Sequence, residues 1–221
     1  MHTKRISSGY GKEHKWVVTP KPGAHKKKDS IPLLLIIRDI LKFADNSREA
    51  KKIIFNGMVV VDKKVRADTK YGAGLMDTLE IPKIKKYFRV LPGKKGLYLK
   101  EINEDESGIK LLKIMNKSVY KNGNIQLNLH DGSNIRLDKN KYSTNDTLIV
   151  KLPEREIQDT IEFKKGNLAM VVSGRHSGDI SEINDVLKGT TTRRSLTTIG
   201  KLQTLTDYIF VIGKDKPVIS I

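Results

Sequence analysis

In the stretch SIPLLLIIRDILKFADNSREAKKIIFNGMVVVDKKVRADTKYGAGLMD, residues 30–77, the hydrophobic period changes from helical to alternating. Ser30 can cap a helix that carries Pro32 in its first turn, and Leu33, Ile37, Ile40 and Leu41 then share one face. Arg38 and Lys42, four residues apart, point outward together. Asn46 with Glu49 three positions later reads as a capping-box-like start of a second short helix, whose buried stripe is Ala50, Ile53 and Ile54. Arg48, Lys51 and Lys52 lie on its other face, and Asn56 with Gly57 ends it. The β-branched residues that follow predict short strands, with a charged turn at Asp62 to Lys64 and breaks at Gly72 and Gly74. Two short helices and a small sheet make one compact unit.

That unit is strongly cationic. Arg38, Lys42, Arg48, Lys51 and Lys52 sit on its helices, and Lys63, Lys64 and Arg66 on its hairpin. Basic residues at helical spacing are often a merely solvated face. Here same-sign neighbours repel and few acidic partners stand nearby, which favours a surface turned towards phosphates. Upstream, residues 1–30 are rich in Lys, His, Gly and Pro without an apolar period, so an extended basic arm is expected, with Trp16 as a point where part of it docks.

The whole chain of 221 residues carries 42 Lys and Arg against 25 Asp and Glu, a net charge of +17. Residues 1–100 hold 24 basic and 9 acidic side chains and residues 101–221 hold 18 and 16, so nearly all of the excess is N-terminal. A charge this one-sided implies a polyanionic partner. With no cysteine, disulfides and thiolate metal sites are excluded. No secretory leader and no apolar run of the roughly 18 residues that a membrane span needs can be read, so a soluble intracellular protein is expected.

From about Lys83 the pattern turns to short alternating segments. Ile125, Leu127 and Leu129 alternate with polar residues, Asp131-Gly132 supplies a hairpin turn, and Ile135 and Leu137 resume the alternation. From Phe163, strands of similar length around Gly174 and Gly178 suggest a small closed barrel.

Motifs for chemistry are absent. Ser173, His176 and Ser177 in SGRHSG lie close in sequence, but no strand-to-helix nucleophile elbow surrounds them and the loop lacks the G-K-[ST] ending of a phosphate-cradling loop. Gly72-Ala73-Gly74 is read as a turn. His2, His14, His25, His130 and His176 are scattered, and the three in the arm are expected to meet RNA or solvent. The acidic run EINEDES, residues 101–107, reads as an exposed turn. No catalytic residue, metal site or cofactor is expected.

Several segments carry a family resemblance: HTKR at residues 2–5, PKPGAHKKKDSIPL at 20–33, VDKKVRADTKYGAGLMD at 61–77, GNLAMVVSGRHSG at 166–178 and YIFVIGKDKPVISI at 208–221. In this order they resemble the archaeal and eukaryotic small-subunit ribosomal protein family four-e, over nearly all of the chain. The family's alpha-L module and its KOW motif each occur elsewhere; their succession is the specific feature. Asp179 departs from the basic residue usual after the second KOW glycine, so no RNA contact is expected there. The end at Ile221, without a basic tail, favours an archaeal-type member.

The resemblance implies a multidomain α+β chain: a basic arm over 1–30, a helix-helix-sheet alpha-L RNA-binding domain over 31–82, a β-rich central domain over 83–162, and a Src-homology-three-like KOW β-barrel over 163–221. It implies a non-catalytic, cytoplasmic ribosomal component, one copy per ribosome and away from membranes, that binds small-subunit ribosomal RNA and meets neighbouring small-subunit proteins. The residues expected at the RNA are Lys4, Arg5, Lys15, Lys26, Lys27, Lys28, Arg38, Lys42, Arg48, Lys51, Lys52, Lys63, Lys64, Arg66 and Arg175. Aromatic residues make up only 6% of the chain, so base stacking should be secondary to phosphate contact. Two rivals remain: an RNA-modifying enzyme guided by an alpha-L module, which would need a catalytic domain, and a KOW-bearing transcription factor.

Overall fold

A computed structural model describes residues 17–120, 123–139 and 141–221. The chain is mostly β with a few short helices, and it divides into two compact units. The described part of the first comprises residues 17–91, 95–110 and 151–155, and that of the second comprises 92–94, 111–120, 123–139, 141–150 and 156–221.

In the first unit, β1 (Ser30–Pro32) leads directly into α1 (Leu33–Leu35), which continues as a π-helical turn over Ile36–Ile40. The expected Ser30 cap is not made. The Ser30 hydroxyl donates to the Lys26 carbonyl at 3.1 Å, and residues 30–32 pair with β4 (Gly72–Gly74). The first helical N–H groups are satisfied from the same segment instead, Leu33 N donating to Tyr71 O at 2.9 Å and Leu34 N to Thr69 O at 3.1 Å. Because LLLII is apolar on every side, residues 33–37 are all buried, while Ile40 and Leu41 are only half-buried. The Leu41 N–H reaches back five residues to Ile36 O at 2.8 Å, the π-type bond, and Lys42 at φ 53° ends the turn.

The second helix, α2 (Ser47–Phe55), starts where the capping pattern places it. Asn46 Oδ1 accepts from Arg48 N at 2.9 Å and Glu49 N at 3.0 Å, and Glu49 Oε2 accepts from Asp45 N at 3.0 Å. Next come β2 (Val60–Val61) and β3 (Lys64–Val65), then β5 (Thr78–Ile81), β6 (Lys86–Gly93), β7 (Gly96–Ile102) and the short α3 (Glu104–Ser107). Five of these strands form a sheet in the order β3-β2-β5-β6-β7. Its core joins Ile31 and residues 33–37 to Ala50, Ile54, Val59, Val61, Leu79 and Val90.

The second unit holds most of two five-stranded sheets. The first contains β8 (Ile109–Val119), β9 (Ile125–Leu129), β10 (Asn134–Leu137), β11 (Thr147–Lys151) and β12 (Glu156–Ile161), in the order β10-β9-β8-β11-β12. The expected alternation holds: Leu127 and Leu129 are buried with Leu112, Ile114, Leu148 and Val150, and β9 and β10 are joined through the Asp131-Gly132 turn. The other sheet contains β13 (Leu168–Val171), β14 (Ile180–Leu187), β15 (Leu196–Ile199), β16 (Leu202–Leu205) and β17 (Ile209–Gly213), in the order β16-β15-β14-β13-β17. Lys113 links the two sheets. Its buried ammonium donates to the carbonyls of Thr206, Asp207 and Ile209 at 3.3, 3.2 and 2.7 Å.

Candidate nucleic-acid interface

At about 100° per residue, Arg48, Lys51, Lys52 and residue 55 fall within roughly 100° of the circumference of α2, opposite Ala50, Ile53 and Ile54. All three cations are exposed, and among the described residues none has an ion-pair partner. Glu49, the one carboxylate on the helix, is occupied by the cap, since Asn46 Nδ2 also donates to its Oε1 at 2.7 Å. The stripe ends in Phe55, which is 62% exposed. Charge counting passes over this aromatic, but the spacing i, i+3, i+4, i+7 places it in line with the cations.

The other expected cations divide by what their own neighbourhood offers. Lys64 on β3 is exposed beside the end of α2, where a Cβ on Gly57 would sit 3.1 Å from Val65. Lys42, Lys26, Lys27 and Lys28 are exposed as well. Arg38 is different: it forks onto Asp39 at 2.6 and 2.9 Å and donates to Ser47 Oγ at 2.6 Å, and the hydrogen bond to Asp39 raises its pKa. Lys63 turns inward, 2.8 Å from Glu80 and 2.7 Å from Ser107 Oγ. Arg66 is half-buried with its guanidinium 4.5 Å from the Tyr71 ring centre. Lys4, Arg5 and Lys15 lie outside the described residues, as does Trp16. Arg175 is exposed in the second unit, in the loop where His176 Nδ1 stands 3.4 Å from Asp179.

The described part of the arm is packed rather than extended. Val17 and Val18 lie against the core, and Lys21 donates through its backbone to Lys70 O at 2.9 Å and through its side chain to Asp68 at 2.7 Å. The His25 ring, expected to meet RNA or solvent, is instead buried, with its Nε2 3.0 Å from Asp77. Asp77 also accepts from Gly74 N at 2.9 Å and from Lys110 Nζ at 2.6 Å, and Lys110 continues to Asp62 at 2.5 Å. Burial works against the Asp77 charge, but Lys110 and His25 outweigh it and hold the carboxyl well below its usual range. Asp62 is pushed up, by burial first and by Asp77 second. Glycine is required at 74, because a Cβ there would lie 2.2 Å from the His25 ring. The His25 ring thus fills the space that the missing side chain leaves, and the described part of the arm is fixed against the 68–77 segment.

Comparison with known proteins gives a consistent picture. A family model described as ribosomal family S4e matches residues 84–157. The small ribosomal subunit protein eS4 of Methanothermobacter thermautotrophicus is 43% identical, over 100% of this chain and 95% of its own length. That of Archaeoglobus fulgidus is 41% identical, over 100% and 98%. The crystal structure of the 30S ribosomal protein S4e from Thermoplasma acidophilum superimposes with a TM-score of 0.75 at 32% identity, covering 84% of this chain and 96% of that one.

Proposed function

The chain belongs to the ribosomal S4e family, and from that premise we propose that it is a structural, non-catalytic constituent of the small ribosomal subunit, of archaeal type, bound to small-subunit ribosomal RNA. One copy sits in each cytoplasmic ribosome, among neighbouring small-subunit proteins and away from membranes. No cofactor or metal takes part. The modules are the arm (1–30), an alpha-L-like RNA-binding domain (31–82), a β-rich central domain (83–162) and a KOW domain of Src-homology-three type (163–221). The α1–α2 pair with its short strands supports the second of these, and the β13–β17 sheet supports the last.

The observation that carries the reading is the stripe of Arg48, Lys51 and Lys52 on a capped helix, cations without carboxylate partners among the described residues. A rigid row of this kind can meet the phosphates of folded RNA, and shape rather than base sequence then sets its specificity. Lys42, Lys64 and Lys26 to Lys28 extend the contact. Arg38, Lys63 and Arg66 act from inside, holding the surface in form. Lys4, Arg5, Lys15 and Arg175 supply further phosphate contacts. Replacing Arg48, Lys51 and Lys52 together by Glu should abolish incorporation into the small subunit, read by sedimentation of cell extract. Unchanged incorporation would remove this face from the RNA.

A further inference from the structure

Between Val186 and Thr206 the chain carries Lys188, Arg193, Arg194 and Lys201 and not one Asp or Glu. This stands out in a half of the chain where 18 basic residues face 16 acidic ones. Three of the four cations lie in the loop KGTTTRRS, residues 188–195, which joins β14 to β15. The strands pair up to the loop, Leu187 opposite Leu196.

The loop is built rather than slack. Thr190 N donates to Arg193 O at 2.9 Å, Gly189 N to Ser195 Oγ at 3.0 Å, and Thr206 N on the neighbouring segment to Ser195 O at 3.1 Å. Only glycine fits at 189, because a Cβ there would stand 2.8 Å from both Arg193 O and Ser195 N. The two limbs therefore close tightly at the base, and Lys188, Arg193, Arg194 and the hydroxyls of Thr190, Thr191 and Thr192 are left exposed. Among the described residues the three cations have neither a carboxylate nor an aromatic partner.

We propose that the 188–194 tip is a further RNA-contacting site of this protein, which grips the phosphodiester backbone and ribose hydroxyls of small-subunit ribosomal RNA independently of the α2 stripe. This rests on the ribosomal reading above. Adjacent guanidinium forks suit phosphate oxygens, and threonine hydroxyls both donate and accept, as the ribose 2′-OH requires. With no aromatic side chain on the tip, it offers no aromatic platform for bases, and the contact is read mainly through backbone shape.

The test uses the full chain and purified small-subunit ribosomal RNA. Affinity is measured between 50 and 200 mM KCl for the wild type, for the tip variant Lys188→Ser/Arg193→Ser/Arg194→Ser, and for the stripe variant Arg48→Ser/Lys51→Ser/Lys52→Ser. Three phosphate contacts contribute about 2.1–2.7 to the log–log salt slope, so the tip variant's deficit should shrink by about 20- to 40-fold across that range. Ultraviolet crosslinking of the unmodified protein should also recover RNA on peptide 188–194. If the stripe variant flattens the slope and the tip variant does not, the tip is not an RNA contact while the ribosomal reading stands. If neither variant flattens it, both fall. Crosslinks from the tip in intact subunits to protein alone would overturn the proposal in favour of an acidic protein partner.

Discussion

Replacing Lys110 by Met removes the cation from between two buried carboxylates while keeping a side chain of similar reach. In the wild type its ammonium is 2.5 Å from Asp62 and 2.6 Å from Asp77, and Lys110, Asp62 and Asp77 are 1%, 8% and 1% exposed. Breaking a buried pair by deleting one partner costs about 3–5 kcal/mol, a large share of a total stability on the order of 5–15 kcal/mol. The sign of the pH dependence follows. Asp77 is held low in the wild type, so its stabilisation is present above the ordinary carboxylate pKa of 3.8 and is lost as pH falls through the depressed value. Without Lys110 the two carboxyls are raised, the folded variant binds more protons than the unfolded chain, and the variant gains stability as pH falls. The gap between the two proteins should therefore be widest at pH 7 and narrower at pH 5. Native-state hydrogen exchange reads it locally at the amides of Gly74 and Thr78, which donate to Asp77 and Asp62. Adding Asp62→Asn to the variant should recover part of the loss. A loss under about 1 kcal/mol at pH 7, against the usual cost of a broken buried pair, or a gap that widens at pH 5, would refute the reasoning.

Phe55→Ala should leave stability within about 0.5 kcal/mol, since the ring is exposed, yet weaken RNA binding by roughly 1–3 kcal/mol through loss of a ring on which a base can stack; thermal melts and filter binding separate the two. Lys113 is lowered by burial to about 8, so the wild type should gain stability relative to Lys113→Met as pH rises from there towards the ordinary lysine value of 10.5, read by urea unfolding across that window. Gly74→Ala should expel the His25 ring and raise proteolysis within residues 17–29, with Gly72→Ala as a neighbouring comparison whose nearest clash is the Ser30 hydroxyl. Asn46→Ala should cost about 1 kcal/mol of helix stability, measured by exchange of the Arg48 and Glu49 amides that the cap accepts from.

The α2 helix was legible in the sequence because three independent signals agreed: a cap at Asn46, an apolar stripe on one face and a glycine stop at Gly57. The first helix was legible only as a helix. Its run of five apolar residues has no periodicity to mark a buried face, and the pairing of residues 30–32 with 72–74, which moved Ser30 from cap to strand, is a long-range event that local propensity does not encode. Lys110 and Lys113 in GIKLLKIMNK, residues 108–117, were missed for a related reason. Alternation assumes one wet face, but β8 is buried at five consecutive positions from 110 to 114, so a lysine there reads as surface and is not. His25 was misread because its partner lies 52 residues away.

The division among the cations also has a local cause. Arg38 has Asp39 as its chain neighbour, and Lys63 has Glu80 on a strand of its own sheet, so both find a carboxylate by geometry already imposed by the backbone. The α2 stripe and the 188–194 tip have no carboxylate within the same element that is not already occupied or absent: Glu49 is held by the cap, and the tip's stretch has none. Unpaired like charges repel across a few ångströms of water, and that repulsion is relieved either by salt or by a polyanion. Raising salt therefore favours the free protein through screening and disfavours its RNA complex through counterion competition. On the proposals above, the stripe and the tip should therefore show salt responses of opposite sign in the free protein and the complex, whereas Arg38 and Lys63, neutralised within the chain, respond weakly to both.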